Sequence, residues 1–249
     1  MKHIKKILKL ADEYERELPP PPPPLSIPRG REIAAWIDHT ILKPEASSDQ
    51  IKHLCQEAID NRFYSVCINP ANVPLAASLL RGTSVLTCVV VGFPLGATLP
   101  TFKVAETMGI VSAGAREVDM VINIGAIKDA NYELLYNEIK GVSETAHSQN
   151  ARVKVIIEAG LLTRMEKIIA CLISQEAGAD FVKTSTGMMA GGATVEDVSL
   201  MRRVVGAEMG VKAAGGIRSY ADACKMIEAG ANRLGTSAGM KILEEALQA

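Results

Sequence analysis

The chain has 249 residues, of which 48% are hydrophobic and 22% are charged, and its formal net charge is −1. This length and hydrophobic content suffice to bury the core of one α/β domain. A net charge this close to zero gives no electrostatic attraction to nucleic acid or to a membrane surface, so neither is expected as a partner.

The cysteines and histidines argue against disulfides and metals. The five cysteines are odd in number, widely spaced and lack a Cys-x-x-Cys pair, which predicts reduced, buried thiols in a cytoplasmic protein. The four histidines form no His-x-His or His-Glu-x-x-His set. No catalytic metal and no cofactor are therefore predicted.

The N-terminal region differs from the rest of the chain. Residues 1–18 predict a short amphipathic helix that packs on the domain or on a neighbour, because Ile4, Ile7, Leu8 and Ala11 share one face. Lys9 interrupts the apolar run, so no signal peptide or membrane span is predicted. Residues 19–30, with six prolines from Pro19 to Pro24, predict an extended spacer. A proline-rich ligand for another protein remains the alternative.

Residues 31–249 alternate between strand and helix patterns. We predict strands at Ala35–Asp38, Ser65–Ile68, Val85–Val91, Glu117–Ile122, Val153–Glu158, Phe181–Thr184, Val211–Ala214 and Arg233–Gly235. Helices are predicted at Asp49–Asn61, Asn72–Leu80, Thr101–Ala113, Tyr132–His147, Arg164–Ala177, Val195–Ala207, Tyr220–Ala229 and Ala238–Ala246. Eight such pairs indicate an α/β fold, a (β/α)₈ TIM barrel with an N-terminal helical appendage. An open doubly wound sheet is the alternative, although the Gly-x-Gly-x-x-Gly turn is missing.

Lys183 is the first candidate for chemistry, because a lysine inside an apolar strand is costly unless it is paired or neutral. One interpretation is an amine that attacks a carbonyl and forms a Schiff base. The alternative is a lysine at a strand end whose ammonium reaches solvent.

Other buried charges favour the first interpretation. Lys212 on strand seven is predicted to disfavour protonation of Lys183 by like charge, and Asp119 on strand four to move protons. Asp38 and Lys154, with Glu158 at the end of strand five, converge on the same interior. An ion-pair cluster that only ties the strands together remains the structural alternative.

Two glycine-containing turns predict a phosphate site. Gly215 and Gly216 follow strand seven, and Gly235 and Ser237 follow strand eight, each just before a helix. Glycines let backbone N–H groups approach an anion, and helix N-termini favour negative charge. Thr186 and Gly187 are predicted to complete this site from strand six. Glycines that only permit tight turns are the alternative.

From Trp36 to its C-terminus the chain resembles the deoxyribose-phosphate aldolase family of class I, Schiff-base aldolases. The shared motifs are Ile37-Asp38-His39-Thr40, Ser65-Val66-Cys67-Ile68-Asn69-Pro70, Gly92-Phe93-Pro94-Leu95-Gly96, Val118-Asp119-Met120-Val121-Ile122-Asn123, Lys154-Val155-Ile156-Ile157-Glu158, Phe181-Val182-Lys183-Thr184-Ser185-Thr186-Gly187 and Lys212-Ala213-Ala214-Gly215-Gly216-Ile217-Arg218.

The resemblance implies a metal-free lyase that reversibly cleaves 2-deoxy-D-ribose 5-phosphate into D-glyceraldehyde 3-phosphate and acetaldehyde. Lys183 matches the Schiff-base lysine, Lys212 the second lysine and Asp119 the acid/base residue. Phosphate contacts carry over to Gly187, Gly215, Gly216, Gly235 and Ser237, with Thr186 nearby. The expected partners are the sugar phosphate, acetaldehyde and further copies of the chain in a dimer or tetramer.

The chain departs from the family pattern at two positions. Met188 stands where some members carry a lysine, and the chain ends at Ala249 without the tyrosine that some members place last. A related Schiff-base aldolase or transaldolase, and a barrel that only binds sugar phosphate, are the alternatives.

Overall fold

A computed structural model describes residues 2–189 and 191–249. Eight parallel strands close into a barrel in chain order, and the last strand pairs with the first. The strands are β1 (Ile37–Ile41), β2 (Ser65–Ile68), β3 (Leu86–Val91), β4 (Glu117–Val121), β5 (Arg152–Ile156), β6 (Phe181–Lys183), β7 (Gly210–Ala214) and β8 (Arg233–Thr236). The predicted TIM barrel is confirmed.

The first strand begins later than the sequence indicates. Gly30–Trp36 forms a 3₁₀ helix in which Ile33 and Ala34 are buried, so part of the apolar run is helical. The strand instead continues through His39 and Thr40, which are paired with β2. Polar side chains at the end of a barrel strand look like loop residues, and this misled the prediction for Ala35–Asp38.

Helices cover the outside of the barrel. They are α1 (Lys2–Arg16), α2 (Ser48–Asn61), α3 (Val73–Leu79), α4 (Pro100–Ser112), α5 (Ile124–Lys128), α6 (Tyr132–His147), α7 (Arg164–Glu176), α8 (Val195–Val205), α9 (Tyr220–Glu228) and α10 (Gly239–Ala246). The eight predicted helices are present, with ends that shift by at most two residues, whereas the short α5 was not predicted. Ser47 and Thr163 begin α2 and α7 with capping boxes, in which a side-chain oxygen accepts a backbone N–H.

Along each strand, side chains alternate between the barrel interior and the apolar layer that lies between the strands and the helices. On β6, Val182 is fully buried in the apolar layer under the helices. Its neighbour Phe181 points into the barrel, where its ring lies 5.9 Å from the Lys154 ammonium. Residues two apart on a strand therefore face the same side, so Lys183 faces the barrel interior like Phe181.

The N-terminal extension lies against the outside of the barrel. Ile4, Ile7 and Ala11 of α1 are buried, α1 packs on α7, and Glu15 pairs with Arg164 at 3.3 Å. The extended segment that follows is also held, because Arg203 of α8 donates hydrogen bonds to the carbonyl oxygens of Leu18 and Pro19. Within the described residues no helix is long and apolar enough to cross a membrane.

Candidate active site

Seven charged side chains meet inside the barrel. They come from six strands and are Asp38 of β1, Glu117 and Asp119 of β4, Lys154 of β5, Lys183 of β6, Lys212 of β7 and Arg233 of β8. Each is at most 3% exposed. Because such groups are desolvated, they are tolerated only when they contact one another.

Asp119 is the centre of this charged cluster. Its Oδ2 lies 2.7 Å from the Lys183 ammonium and 2.7 Å from the Lys212 ammonium. Its Oδ1 accepts from Lys154 at 3.0 Å and from the Cys88 thiol at 3.1 Å. One carboxylate thus contacts three lysines, and the structure brings together the three residues predicted for catalysis.

Asp38 and Glu117 form the other ion pairs of the charged cluster. Asp38 Oδ2 forms an ion pair with Lys212 at 2.5 Å, although the angle is not that of a hydrogen bond, and its Oδ1 accepts from Arg233 at 2.9 Å. Glu117 accepts from Lys154 at 2.6 Å and from Arg233 at 3.1 Å. Arg233 also stacks on the ring of Tyr64, whose centroid lies 3.3 Å from the guanidinium carbon.

The contacts fix the charge states of two predicted residues. Burial by itself would raise the pKa of Asp119, but Lys154, Lys183 and Lys212 hold that pKa well below its usual range. Burial would lower the pKa of Lys212, yet Asp119 and Asp38 outweigh it and raise this pKa. At neutral pH, Asp119 is therefore a carboxylate and Lys212 is an ammonium.

Lys183 is the least constrained of the four cations. Lys212, Lys154 and Arg233 each contact at least two carboxylates, whereas Lys183 contacts Asp119 alone, through the oxygen shared with Lys212. Four cations face three carboxylates in this cluster. Removing a proton from Lys183 would balance the charges and still leave every carboxylate in contact with a cation.

Lys183 also connects the cluster to solvent. A cavity of about 360 Å³ opens at the carboxyl ends of the strands, and Lys183 is the single member of the charged cluster that lines it. All seven members belong to the described part of the chain. A substrate carbonyl in this cavity could reach the Lys183 amine without entering the cluster.

The residues predicted to bind phosphate line this same cavity. They are Thr186, Gly187, Gly215, Gly216, Gly235 and Ser237. Gly215 and Gly216 have φ of 89° and 82°, a backbone conformation that side-chain-bearing residues rarely adopt. At Gly235 a Cβ would lie 2.9 Å from Cε of Lys212, so glycine there leaves room for that lysine.

Glu158 connects the loop after β6 to the end of β5. Its carboxylate accepts a hydrogen bond from the Thr186 backbone N–H at 2.8 Å, and its own φ is 51°. The Thr186 hydroxyl in turn accepts from the Met188 N–H at 3.1 Å. These bonds hold Thr186, three residues after Lys183, against the end of β5.

Among residues 2–189 and 191–249, two groups of close side chains contain possible metal donors. They are Cys67, Cys88 and Asp119, and Asp38, Cys88 and Glu117. Their carboxylates already contact ammonium or guanidinium groups, so a metal ion would have to displace a lysine or arginine. The absence of a catalytic metal stays a prediction.

Sequence reasoning missed several residues of the site. Glu117 lies two residues before Asp119 and so shares its face, a signal that strand alternation could have provided. Arg233 is the first residue of the predicted eighth strand and was not predicted as a site residue. It lies two residues before Gly235, so it shares a face of the strand with that glycine. Lys43 and Arg218 also line the cavity from the loops after β1 and β7.

A closed parallel barrel with a cavity at the carboxyl ends of its strands, below glycine-rich loops, has the arrangement of a TIM-barrel enzyme. The family model for DeoC/LacD family aldolases matches residues 33–249. The chain belongs to this aldolase family, which confirms the resemblance found in its motifs.

Several relatives support this assignment. The deoxyribose-phosphate aldolase of Thermococcus kodakarensis is 59% identical over 218 residues, which cover 87% of this chain and 97% of that protein. The enzyme of the same name from Macrococcus caseolyticus is 58% identical over 212 residues, 85% of this chain and 96% of the relative.

Solved structures of deoxyribose-phosphate aldolases are also similar to this chain. A structure described as a deoxyribose-phosphate aldolase from Coccidioides immitis superposes with a TM-score of 0.91 at 40% identity and covers 97% of both chains. The tetrameric deoxyribose phosphate aldolase from Aeropyrum pernix gives a TM-score of 0.80 at 34% identity and covers 96% of both chains.

Proposed function

We propose that this chain reversibly cleaves 2-deoxy-D-ribose 5-phosphate into D-glyceraldehyde 3-phosphate and acetaldehyde through a Schiff base on Lys183. The observation that carries the proposal is the position of Lys183, which belongs to the buried charged cluster and also lines the glycine-rich cavity. Relatives that carry the name deoxyribose-phosphate aldolase support this choice of substrate.

The first half of the reaction joins enzyme and substrate. The neutral Lys183 amine attacks C1 of the open-chain sugar, and uptake of one proton with loss of water gives a protonated imine. A base then removes the proton of the C3 hydroxyl, and the C2–C3 bond breaks. Its electron pair moves toward the imine, which gives an enamine and releases D-glyceraldehyde 3-phosphate. The enamine is protonated at C2, and water hydrolyses the imine to release acetaldehyde.

Lys212 and Asp119 serve different steps in this proposal. The Lys212 ammonium and the Lys183 amine contact one oxygen of Asp119, so positive charge on Lys212 disfavours protonation of Lys183. Asp119 is an ionised carboxylate that can accept and return protons, and because it does not line the cavity it acts through Lys183, Lys212 or a water molecule. No metal or organic cofactor enters the sequence of steps.

The 5-phosphate is placed against the backbone of the loops after β6, β7 and β8. Gly187, Gly215, Gly216 and Gly235 let N–H groups approach it, while Thr186 and Ser237 add hydroxyl groups. Holding the phosphate end fixes the distance between C1 and the Lys183 amine, so binding energy far from the carbonyl serves the reaction.

We also propose that the chain assembles into a homo-oligomer, a dimer or tetramer, in the cytoplasm. The tetrameric structure from Aeropyrum pernix supports the assembly, and the five free cysteines are those expected in a reducing compartment. Sedimentation equilibrium over a range of protein concentrations would measure the assembly.

Trapping of the imine tests the proposed reaction. Acetaldehyde followed by borohydride should add one two-carbon unit per chain, and peptide mapping should place it on Lys183. The Lys183→Ala variant should remain unlabelled, whereas the control Lys140→Ala, which alters an exposed lysine on α6, should be labelled like the wild type. Preferential trapping of dihydroxyacetone would indicate a different aldolase, and phosphate binding without any trapped imine would indicate a binding protein.

A further inference from the structure

The mouth of the cavity carries positive charge that the proposed reaction has not yet used. Its described lining includes Lys43, Lys183 and Arg218 and contains no aspartate or glutamate. Lys183 reacts with the carbonyl end of the substrate, but Lys43 and Arg218 are exposed at the rim. Among the described residues, neither rim side chain forms an ion pair that would neutralise it.

Strand pairing places these two cations on opposite sides of Ser237. His39 of β1 is opposite Thr236 of β8, so the loop that contains Lys43 runs beside the loop that contains Ser237. Arg218 follows β7, which pairs with the other edge of β8. The β8 loop thus lies between a lysine and an arginine, and all three groups line one cavity.

We propose that Lys43 is a specificity-determining residue that binds the phosphate of the substrate, opposite Arg218. The inference rests on the proposed function and adds a charged contact to a phosphate site otherwise formed by glycines and hydroxyl groups. A mobile lysine acts as a point charge, which suits a phosphate dianion at a partly solvated rim. Met188 also lines this cavity and is 47% exposed, but its side chain is uncharged. The loop after β6 therefore contributes no cation to the rim.

The test compares Lys43→Met, which keeps the aliphatic length, with Lys43→Arg, which keeps the charge. Lys140→Met, an exposed lysine on α6, controls for the loss of one positive charge. For each protein, kcat/KM is measured with 2-deoxy-D-ribose 5-phosphate and with unphosphorylated 2-deoxy-D-ribose. Loss of one charged hydrogen bond should lower the ratio of these constants about tenfold in Lys43→Met, mainly through KM of the phosphorylated sugar.

The other variants should keep the ratio within about twofold of the wild type, and added salt should reduce the difference between wild type and Lys43→Met. Calorimetric titration with inorganic phosphate should likewise show weaker binding to Lys43→Met. Equal losses on both sugars, or an unchanged phosphate affinity in Lys43→Met, would overturn the role of Lys43. If the wild type cleaves neither sugar, the proposed function fails, while the phosphate titration still decides whether Lys43 binds the anion.

Discussion

Replacing Lys212 by leucine tests how the cluster prepares Lys183 for attack. Lys212→Leu removes an ammonium that contacts Asp119 and Asp38. Each carboxylate still has another cationic partner, because Asp119 contacts Lys154 and Asp38 contacts Arg233 at 2.9 Å. Breaking a buried ion pair costs about 3–5 kcal/mol, so the variant should fold with a lowered thermal midpoint. The Asp119 carboxylate would then contact two cations, Lys183 and Lys154, instead of three.

The size of the effect follows from the distance between the two amines. Both nitrogens lie 2.7 Å from Asp119 Oδ2, so they are at most about 5.4 Å apart. At an effective dielectric constant of about 20, two positive charges at this distance repel by about 3 kcal/mol, which corresponds to roughly a hundredfold in an equilibrium constant. Removing this repulsion favours the ammonium form of Lys183, so the reactive amine should require a more alkaline solution.

The assay is kcat/KM for cleavage of 2-deoxy-D-ribose 5-phosphate between pH 5 and 10. We expect a loss of about 100-fold at neutral pH that diminishes as the pH rises, because alkaline solution restores the free amine. Lys140→Met should follow the wild-type profile. A loss of the same size at every pH would refute the electrostatic explanation and would point to Lys212 as a group that transfers a proton itself.

Three other changes test separate parts of the molecule. Asp119→Asn should still form the acetaldehyde imine but should block exchange of the methyl protons in heavy water, and normal exchange would assign proton transfer to another group, such as Lys212. Ser237→Asp should raise KM for the phosphorylated sugar at least tenfold by charge repulsion and affect 2-deoxy-D-ribose much less; equal effects would argue against a phosphate site at Ser237. Deleting residues 2–29 exposes to water the apolar surface that Ile4 and Ile7 cover, so the thermal midpoint should fall by roughly 10 °C. An unchanged midpoint would show that α1 adds no stability.

The sequence was sufficient to predict the barrel because its signals are local. Each apolar run followed by a helix start gives one βα unit, and capping residues such as Ser47 and Thr163 mark helix starts regardless of the tertiary structure. The prediction was wrong where two local interpretations compete. The run from Ile33 to Trp36 is apolar enough for a strand, yet it forms a 3₁₀ helix packed against α10.

The extension shows a second limit of the sequence. Its amphipathic face predicts that α1 packs on something, but the partner depends on distant residues. Arg203 and Tyr220 hold the extended segment through carbonyl groups of Pro19 and Pro28, and a backbone oxygen carries no sequence signal.

The three-dimensional arrangement gives a physical reason, which the motifs alone do not, for choosing Lys183 among the lysines. Lys154, Lys183 and Lys212 all occupy apolar strands, so composition treats them alike. In the barrel, Lys154 contacts Glu117 and Asp119, and Lys212 contacts Asp38 and Asp119, so each is held as an ammonium between two carboxylates. Lys183 shares one carboxylate oxygen with Lys212 and lines the cavity, and the proposed reaction therefore assigns the attacking amine to Lys183. In the proposed reaction the other two lysines keep Asp119 ionised and the cluster positive, which they do from buried positions that do not line the cavity.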